Sequence, residues 1–101
     1  MTGDMPTSVK HRKPVNRARA CRAFGAAVRA LRVKQGIPQE EYAYRCGVER
    51  AHMSMIETGR CNLSLETMMR LLPPLGASFA ELAQAFEAFL VAPAIVRKHS
   101  T

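Results

Sequence analysis

The chain has 101 residues, 48% of them hydrophobic, which is enough for one small core but not for a core plus a separate sensory or catalytic domain. No apolar run reaches the ~18 residues that a membrane span needs, which predicts a globular protein with no membrane partner. The net charge of +7 is unevenly distributed along the chain.

Positive charge gathers in residues 1–22, which hold six basic residues and one acidic residue. Residues 23–101 hold nine basic and seven acidic residues, so the rest of the chain is nearly neutral. A basic, proline-containing polar segment predicts a flexible arm over residues 1–19. Two interpretations of this arm stay open: it lies along the phosphates of a nucleic acid, or it is a solvated tail that keeps the protein in solution.

The three cysteines form no Cys-x-x-Cys pair, and no histidine stands at ligand spacing from them. This pattern predicts reduced thiols in a cytoplasmic protein, with no metal site and no cofactor. The start of the chain also lacks the apolar stretch of a signal peptide. The cysteines are Cys21, Cys46 and Cys61.

The first three helices are predicted to end at glycines. Apolar residues at helical spacing predict a first helix from about Arg17 or Ala20 to Gln35. Two shorter apolar stripes follow, and each also stops at a glycine. Glycine adopts the left-handed conformation that closes a helix more readily than other residues do. The three glycines are Gly36, Gly47 and Gly59.

A fourth helix is predicted to open at Ser64, whose hydroxyl can cap its first amide groups. Pro73 and Pro74 are predicted to stop it, because proline lacks an amide proton and clashes with the carbonyl group four residues earlier. The predicted buried face of this helix consists of Leu65, Met68, Leu71 and Leu72.

A fifth helix is predicted to begin with a capping box formed by Ser78 and Glu81 and to end at Pro93. Phe79 and Leu82 are assigned to the core of the domain. Further apolar residues on this helix predict a dimer interface, made of Phe86, Phe89 and Leu90. The alternative is that these three residues pack back on the first helix. No segment shows the alternation of a strand, so the predicted fold class is all-α with five helices.

A short helix, a tight turn that begins with Gly47, and a second short helix form the helix-turn-helix arrangement. From Phe24 to about Leu82 the chain resembles the phage-repressor and Cro-like (XRE-type) helix-turn-helix family. The resemblance rests on motifs in the family order: arginines in the first helix, Gly-Ile-x-Gln-Glu-Glu-x-Ala, Gly-Val, Ile-Glu-x-Gly-Arg and Ser-Leu-Glu-Thr. It implies a compact, lambda-repressor-like DNA-binding domain over residues 20–91, followed by a C-terminal tail over residues 92–101.

The resemblance also implies structural and phosphate-contacting roles. Arg32 and Glu57 match a partly buried ion pair that joins the first and third helices. Gln39 matches a glutamine that contacts a DNA phosphate. Three residues match the loop that touches the DNA backbone beyond the recognition helix: Thr58, Arg60 and Asn62.

The outer face of the third helix is predicted to contact bases. Met53 and Ile56 form its buried stripe, so Met55 falls on the opposite side, where contact explains an exposed methionine better than packing does. Arg50 is suited to bidentate hydrogen bonding with a guanine. The predicted base-contacting residues are Arg50, Ala51, Ser54 and Met55, with His52 beside them.

Three positions depart from the family pattern. Pro38 stands where the family usually has a serine or threonine cap for the second helix. Glu49 occupies the cap position of the third helix and places negative charge near the DNA. Tyr42 replaces a leucine, so we expect the core to be rearranged around its ring.

The sequence thus predicts a sequence-specific transcriptional regulator, most simply a repressor, that binds double-stranded DNA as a homodimer. The alternative is an antitoxin-like module that binds DNA with the same fold and a partner protein with the fifth helix and tail. An enzyme is not predicted, because Glu40 and Glu41 diverge on a helix and no nucleophile-base grouping or phosphate-cradling loop is present.

Overall fold

The computed structural model describes residues 16–60 and 62–91, in which five helices are joined by short connections. The helices are α1 (Arg17–Lys34), α2 (Gln39–Cys46), α3 (Arg50–Glu57), α4 (Leu65–Leu75) and α5 (Phe79–Val91). Neither described range contains a strand, so the all-α, five-helix prediction is confirmed. The predicted C-terminal tail and most of the predicted arm lie outside the described residues. Residues 17–19, assigned to the arm from the sequence, form the first turn of α1.

Side-chain caps begin three of the helices. The Asn16 side chain accepts a hydrogen bond from the amide of Arg19 at the start of α1. Ser64 caps α4 as predicted, through the amide of Thr67. At the start of α5, the Ser78 hydroxyl accepts from the amide of Glu81, and the Glu81 carboxylate accepts from the amide of Ser78. This reciprocal pair is the predicted capping box.

The prediction that Pro73 and Pro74 stop α4 was wrong. The helix continues through both prolines to Leu75, and Gly76, with φ 63°, ends it. The missing amide protons deprive the carbonyl groups of residues 69 and 70 of their helical partners, but both residues are exposed, so water can satisfy these oxygens. Leu75 is 1% exposed, and its burial in the core favours the additional turn.

Two residues that were assigned to the core lie at the surface. Leu65 is 63% exposed and Phe79 is 47% exposed. Both stand in the first turn of their helices. The core consists of Ala27, Val28, Ile37, Tyr42, Ala43, Cys46, Met53, Ile56, Leu71, Leu72, Leu75 and Leu82.

Tyr42 is fully buried in this core, and its hydroxyl donates a 2.7 Å hydrogen bond to the carbonyl oxygen of Leu71. The bond joins α2 to α4 and satisfies the one polar atom that distinguishes this ring from the leucine of the family pattern. Burial, with a smaller effect from neighbouring Cys46, raises the pKa of the Tyr42 hydroxyl above its ordinary value. Burial likewise raises the pKa of the Cys46 thiol.

α1 and the end of α3 meet backbone to backbone. A β-carbon added at Gly25 would overlap the carbonyl oxygen of Ile56 and lie 2.8 Å from the carbonyl carbon of Glu57. A β-carbon at Gly59, which also has a φ of +77°, would lie 2.5 Å from the Cα of Arg22. Glycine is therefore required at both positions for α3 to lie this close to α1.

A buried ion pair fixes the same two helices. Arg32 Nε lies 2.6 Å from Glu57 Oε2, and Arg32 Nη2 lies 3.0 Å from Glu57 Oε1. The remaining Nη1 group donates to the carbonyl oxygen of Ile37, 2.8 Å away. One guanidinium group thereby connects α1, the α1–α2 turn and α3. The resemblance paired these two residues, and the structure brings them into bidentate contact.

Replacing Arg32 by methionine should reduce the free energy of unfolding by about 3–5 kcal/mol, because the Glu57 carboxylate would stay buried without its partner. The matched control is Arg45→Met, which breaks the exposed α2 pair with Glu41 and should cost only ~0–1 kcal/mol. Urea unfolding followed by circular dichroism measures both. Equal losses in the two variants would contradict the role of the buried pair.

Replacing Gly25 by alanine tests the close approach of α1 and α3 through the sign of the stability change. In an unobstructed helix, glycine to alanine stabilises by about 1 kcal/mol. At Gly25 we expect a loss of about 1–3 kcal/mol instead, because the added methyl group overlaps the backbone of α3. Ala30→Gly, at an exposed position of the same helix, is the control and should lose about 1 kcal/mol. A stabilised Gly25→Ala protein would refute the contact.

The buried hydroxyl of Tyr42 should make stability fall at alkaline pH. Its pKa is raised in the folded state, so above the ordinary tyrosine pKa of about 10 only the unfolded chain releases this proton. The stabilisation is fully present below that pH and declines as the pH rises beyond it. Tyr42→Phe should lose about 0.5–1.5 kcal/mol at neutral pH and show a shallower alkaline decline in urea titrations. If the free energy of unfolding of the two proteins declined with the same slope at alkaline pH, the role of the Tyr42 hydroxyl would be ruled out.

Candidate nucleic-acid interface

α2 and α3 are two eight-residue helices joined by a tight turn. Gly47, with a φ of 76°, ends α2, and the amide of Val48 donates to the carbonyl oxygen of Ala43. α3 then begins at Arg50, and its Met53 and Ile56 side chains are buried. One face of α3 is thus attached to the core, and the opposite face projects outward.

The outward face of α3 carries the four residues that the sequence assigns to base contact. Arg50 and Ala51 are exposed, Ser54 is half-buried, and Met55 is 42% exposed. His52, predicted to lie beside them, is half-buried. Spacings of one and four residues place the four predicted residues in one strip along α3. A strip with a guanidinium group, a hydroxyl group and apolar surface has the chemistry to meet base edges in the major groove.

The first turns of α2 and α3 have no side-chain cap. Pro38 and Glu49 occupy the cap positions, and neither side chain makes a capping hydrogen bond. Glu49 is exposed, so its carboxylate stands at the start of α3 beside Arg50. A carboxylate there can accept a hydrogen bond from a cytosine amino group, which is the favourable role that this departure from the family pattern allows.

Gln39 is linked to the buried ion pair. It lies half-buried at the start of α2, and its Nε2 group donates to Glu57 Oε1 at 3.1 Å. An amide nitrogen carries two protons, so one remains for a second acceptor. The predicted phosphate-contacting glutamine is therefore held in position by the same carboxylate that fixes α3.

The three loop residues differ in what their side chains do. The Thr58 hydroxyl donates to the carbonyl oxygen of Ser54, and the Thr58 amide donates to the same oxygen. Both donors of Thr58 thus close the end of α3. Arg60 is exposed, and its backbone amide donates a hydrogen bond to the carbonyl oxygen of Met55. Asn62 Oδ1 accepts from the Cys21 thiol of α1 at 3.4 Å, a contact that the sequence analysis did not foresee.

The three apolar residues that were predicted to form a dimer interface lie along α1 in the monomer. The rings of Phe86 and Phe24 meet edge to face, with centroids 6.2 Å apart. Phe89 packs against the core and Leu90 is half-buried. The carbonyl oxygen of Leu90 accepts a hydrogen bond from Arg19. This is the arrangement of the alternative interpretation, in which the residues pack back on the first helix.

An apolar groove of about 480 Å³ runs between α1, α4 and α5. Its lining residues include Ala20, Phe24, Met68, Phe79 and Phe86. In the part of the chain that the structure describes, no three His, Cys, Asp or Glu side chains come together as a metal site would require. No helix in that part is long and apolar enough to cross a membrane.

Comparison with known proteins identifies the domain. A family model described as a helix-turn-helix domain matches residues 23–85. A hypothetical transcription factor from Neisseria meningitidis serogroup B is 34% identical over 55 residues, which are 54% of this chain. The chain spans about half of that relative, 52% of its length. Control protein C.BamHI from Bacillus amyloliquefaciens is 35% identical over 60 residues, covering 58% of this chain and 74% of the relative.

Among solved structures, the clp gene regulator ClgR from Corynebacterium glutamicum superimposes with a TM-score of 0.73 at 26% identity. The alignment covers 88% of this chain and 90% of that one. The family match spans more than half of the chain and contains the whole of α2, α3 and α4. The resemblance found in the sequence is confirmed, and the chain belongs to the helix-turn-helix domain family.

Proposed function

We propose that this protein is a sequence-specific transcriptional regulator, a repressor that acts in the cytoplasm by binding an operator as a homodimer. α3 is the recognition helix and enters the major groove. The observation that carries the proposal is the strip Arg50, Ala51, Ser54 and Met55, which projects from a helix fixed on its other face by buried apolar residues and a buried ion pair. The similarity to transcription factors and a control protein supports the same function.

Arg50 is the main candidate for base recognition. It is the first residue of α3 and is exposed, and an arginine there can donate two hydrogen bonds to O6 and N7 of a guanine. Ala51 and Met55 offer apolar contact to a thymine methyl group, and Ser54 offers a hydroxyl group that can donate or accept. This assignment gives one strongly specified base pair and weaker preferences at its neighbours.

Phosphate contacts position this helix along the groove. We assign them to Gln39, Arg60 and Asn62, each of which keeps a donor group that the described intramolecular contacts leave available. Thr58, which was also predicted for this role, uses its hydroxyl and amide protons inside α3. The spread of these contacts to both sides of α3 fixes its register relative to the DNA backbone.

A homodimer matches the two half-sites, ~34 Å apart, that operators of such domains present. α5 is the proposed interface, and exposed apolar surface on it supports self-association. Phe79 is 47% exposed and Val91 is 78% exposed. Phe86, Phe89 and Leu90 are partly buried and contribute the part of their surface that packing on α1 leaves exposed.

Selection of bound sequences from a random duplex pool, at near-physiological salt, tests the function. We expect enrichment of inverted half-sites about one helical turn apart, because two copies related by a two-fold axis present two recognition helices. A folded protein that enriches no sequence would contradict the proposal. The antitoxin-like alternative, in which α5 binds a partner protein, would then be tested by searching for that partner.

Arg50→Ala should lose about 1–3 kcal/mol of discrimination at one base pair of each half-site while retaining most of its non-specific affinity. The matched control is Arg70→Ala, because Arg70 lies on α4 and pairs there with Glu66. Titration of the selected site and of single-base variants measures both proteins. An equal loss of affinity on every sequence would show that Arg50 contacts only the backbone.

A further inference from the structure

We propose that Arg22, in the N-terminal half of α1, is an additional contact to the DNA backbone. With Arg60 and Asn62 it forms a phosphate-binding cluster, named here the loop clamp, at the end of the recognition helix. The inference rests on the proposed function, because it assumes that α3 lies in the major groove. It adds to that function a helix that the sequence analysis did not place at the DNA.

The backbone of α1 is in close contact with the loop after α3. A β-carbon at Gly59 would lie 2.5 Å from the Cα of Arg22 and 2.8 Å from its Cγ. The side chain of Arg22 therefore starts beside Gly59, and the next residue in the loop is Arg60. Two guanidinium groups thus stem from adjacent backbone positions on two different elements.

Asn62 is oriented by Cys21, the residue that precedes Arg22 in α1. Its Oδ1 atom accepts from the thiol of Cys21, which directs the acceptor of the carboxamide toward α1. The amide nitrogen of that group remains as a donor with two protons, and the hydrogen bonds found among the described residues do not include it. Cys21 and Arg22 thus contact the loop after α3 at two positions, Asn62 and Gly59.

The Arg22 guanidinium group is available to bind an anion. Arg22 is exposed, and within residues 16–60 and 62–91 no carboxylate forms an ion pair with it. Two of the other four arginines of α1 are engaged, Arg19 with the carbonyl oxygen of Leu90 and Arg32 with Glu57. An exposed guanidinium group carries five N–H donors in a planar arrangement that suits phosphate oxygens.

The position of the loop determines the partner. A helix in the major groove is flanked by phosphates, and the residues beyond its end meet the sugar-phosphate backbone rather than the bases. Arg60 is held at this point because its amide donates a 2.8 Å hydrogen bond to Met55 of the recognition helix. The loop clamp is therefore attached to the end of α3 and, with α3 in the major groove, faces the backbone that borders the groove.

The salt dependence of DNA binding tests the contact. Each phosphate that a protein neutralises contributes about −0.9 to the slope of log K against log salt concentration. Arg22→Gln should therefore make the slope less negative by about 0.9 on mixed-sequence duplex DNA, and Arg22→Lys should keep the wild-type slope. The matched control is Lys34→Gln, which removes the same charge from the same helix, about 18 Å away at 1.5 Å per residue.

Lys34 lines the same surface cavity as Gly76, which lies in the turn between α4 and α5, so the control should retain the wild-type slope. Circular dichroism melting checks that each variant is folded, and we expect no loss because Gly59 packs on the backbone and stem of residue 22. An unchanged slope in Arg22→Gln would overturn the loop clamp while leaving DNA binding established. A wild-type protein that binds no DNA would instead refute the proposed function, and the loop clamp with it.

Discussion

The placement of α3, the proposed recognition helix, depends on the buried ion pair between Arg32 and Glu57. Removing two charges from water is costly, so such a pair contributes little net stability unless its remaining donors and acceptors are also satisfied. Here Ile37 accepts the third guanidinium bond, and Gln39 donates to the carboxylate. The network joins four elements of the fold, namely α1, the α1–α2 turn, the start of α2 and the end of α3. Its main effect is to specify one relative placement of these elements.

Local signals made much of the fold predictable from the sequence. Each of the first three helices is followed by a glycine with positive φ, and these glycines correctly marked their ends. The Ser78–Glu81 box marked the start of α5 for the same reason, since a cap needs only residues within one turn. The contact between Arg32 and Glu57 is not local, and it was expected only because several motifs occurred together in the order of a known family.

Features that depend on tertiary contacts were harder to predict from the sequence. Pro73 and Pro74 are strong local stop signals, yet burial of Leu75 carries α4 past them. The periodicity of apolar residues could not show that the stripe of α5 packs on Phe24. It also could not show that Gly25 contacts α3, because a single glycine in a helix gives no indication of which element packs against it. The directions of side chains also could not be predicted from the sequence pattern. Thr58 is an example, because its hydroxyl group donates to a carbonyl oxygen of α3.

The close approach at Gly25 and Gly59 has a consequence for how such a domain diversifies. Because α3 touches α1 backbone to backbone, it cannot tilt or slide to reach a different groove position without breaking the core. On the proposed function, new preferences for DNA would therefore arise by exchanging side chains on the outward strip, three of whose four members are exposed. The packing of α1 on α3 is rigid, whereas the side chains of the outward strip are interchangeable. The residues of the packing contact and those of the strip can therefore evolve at different rates.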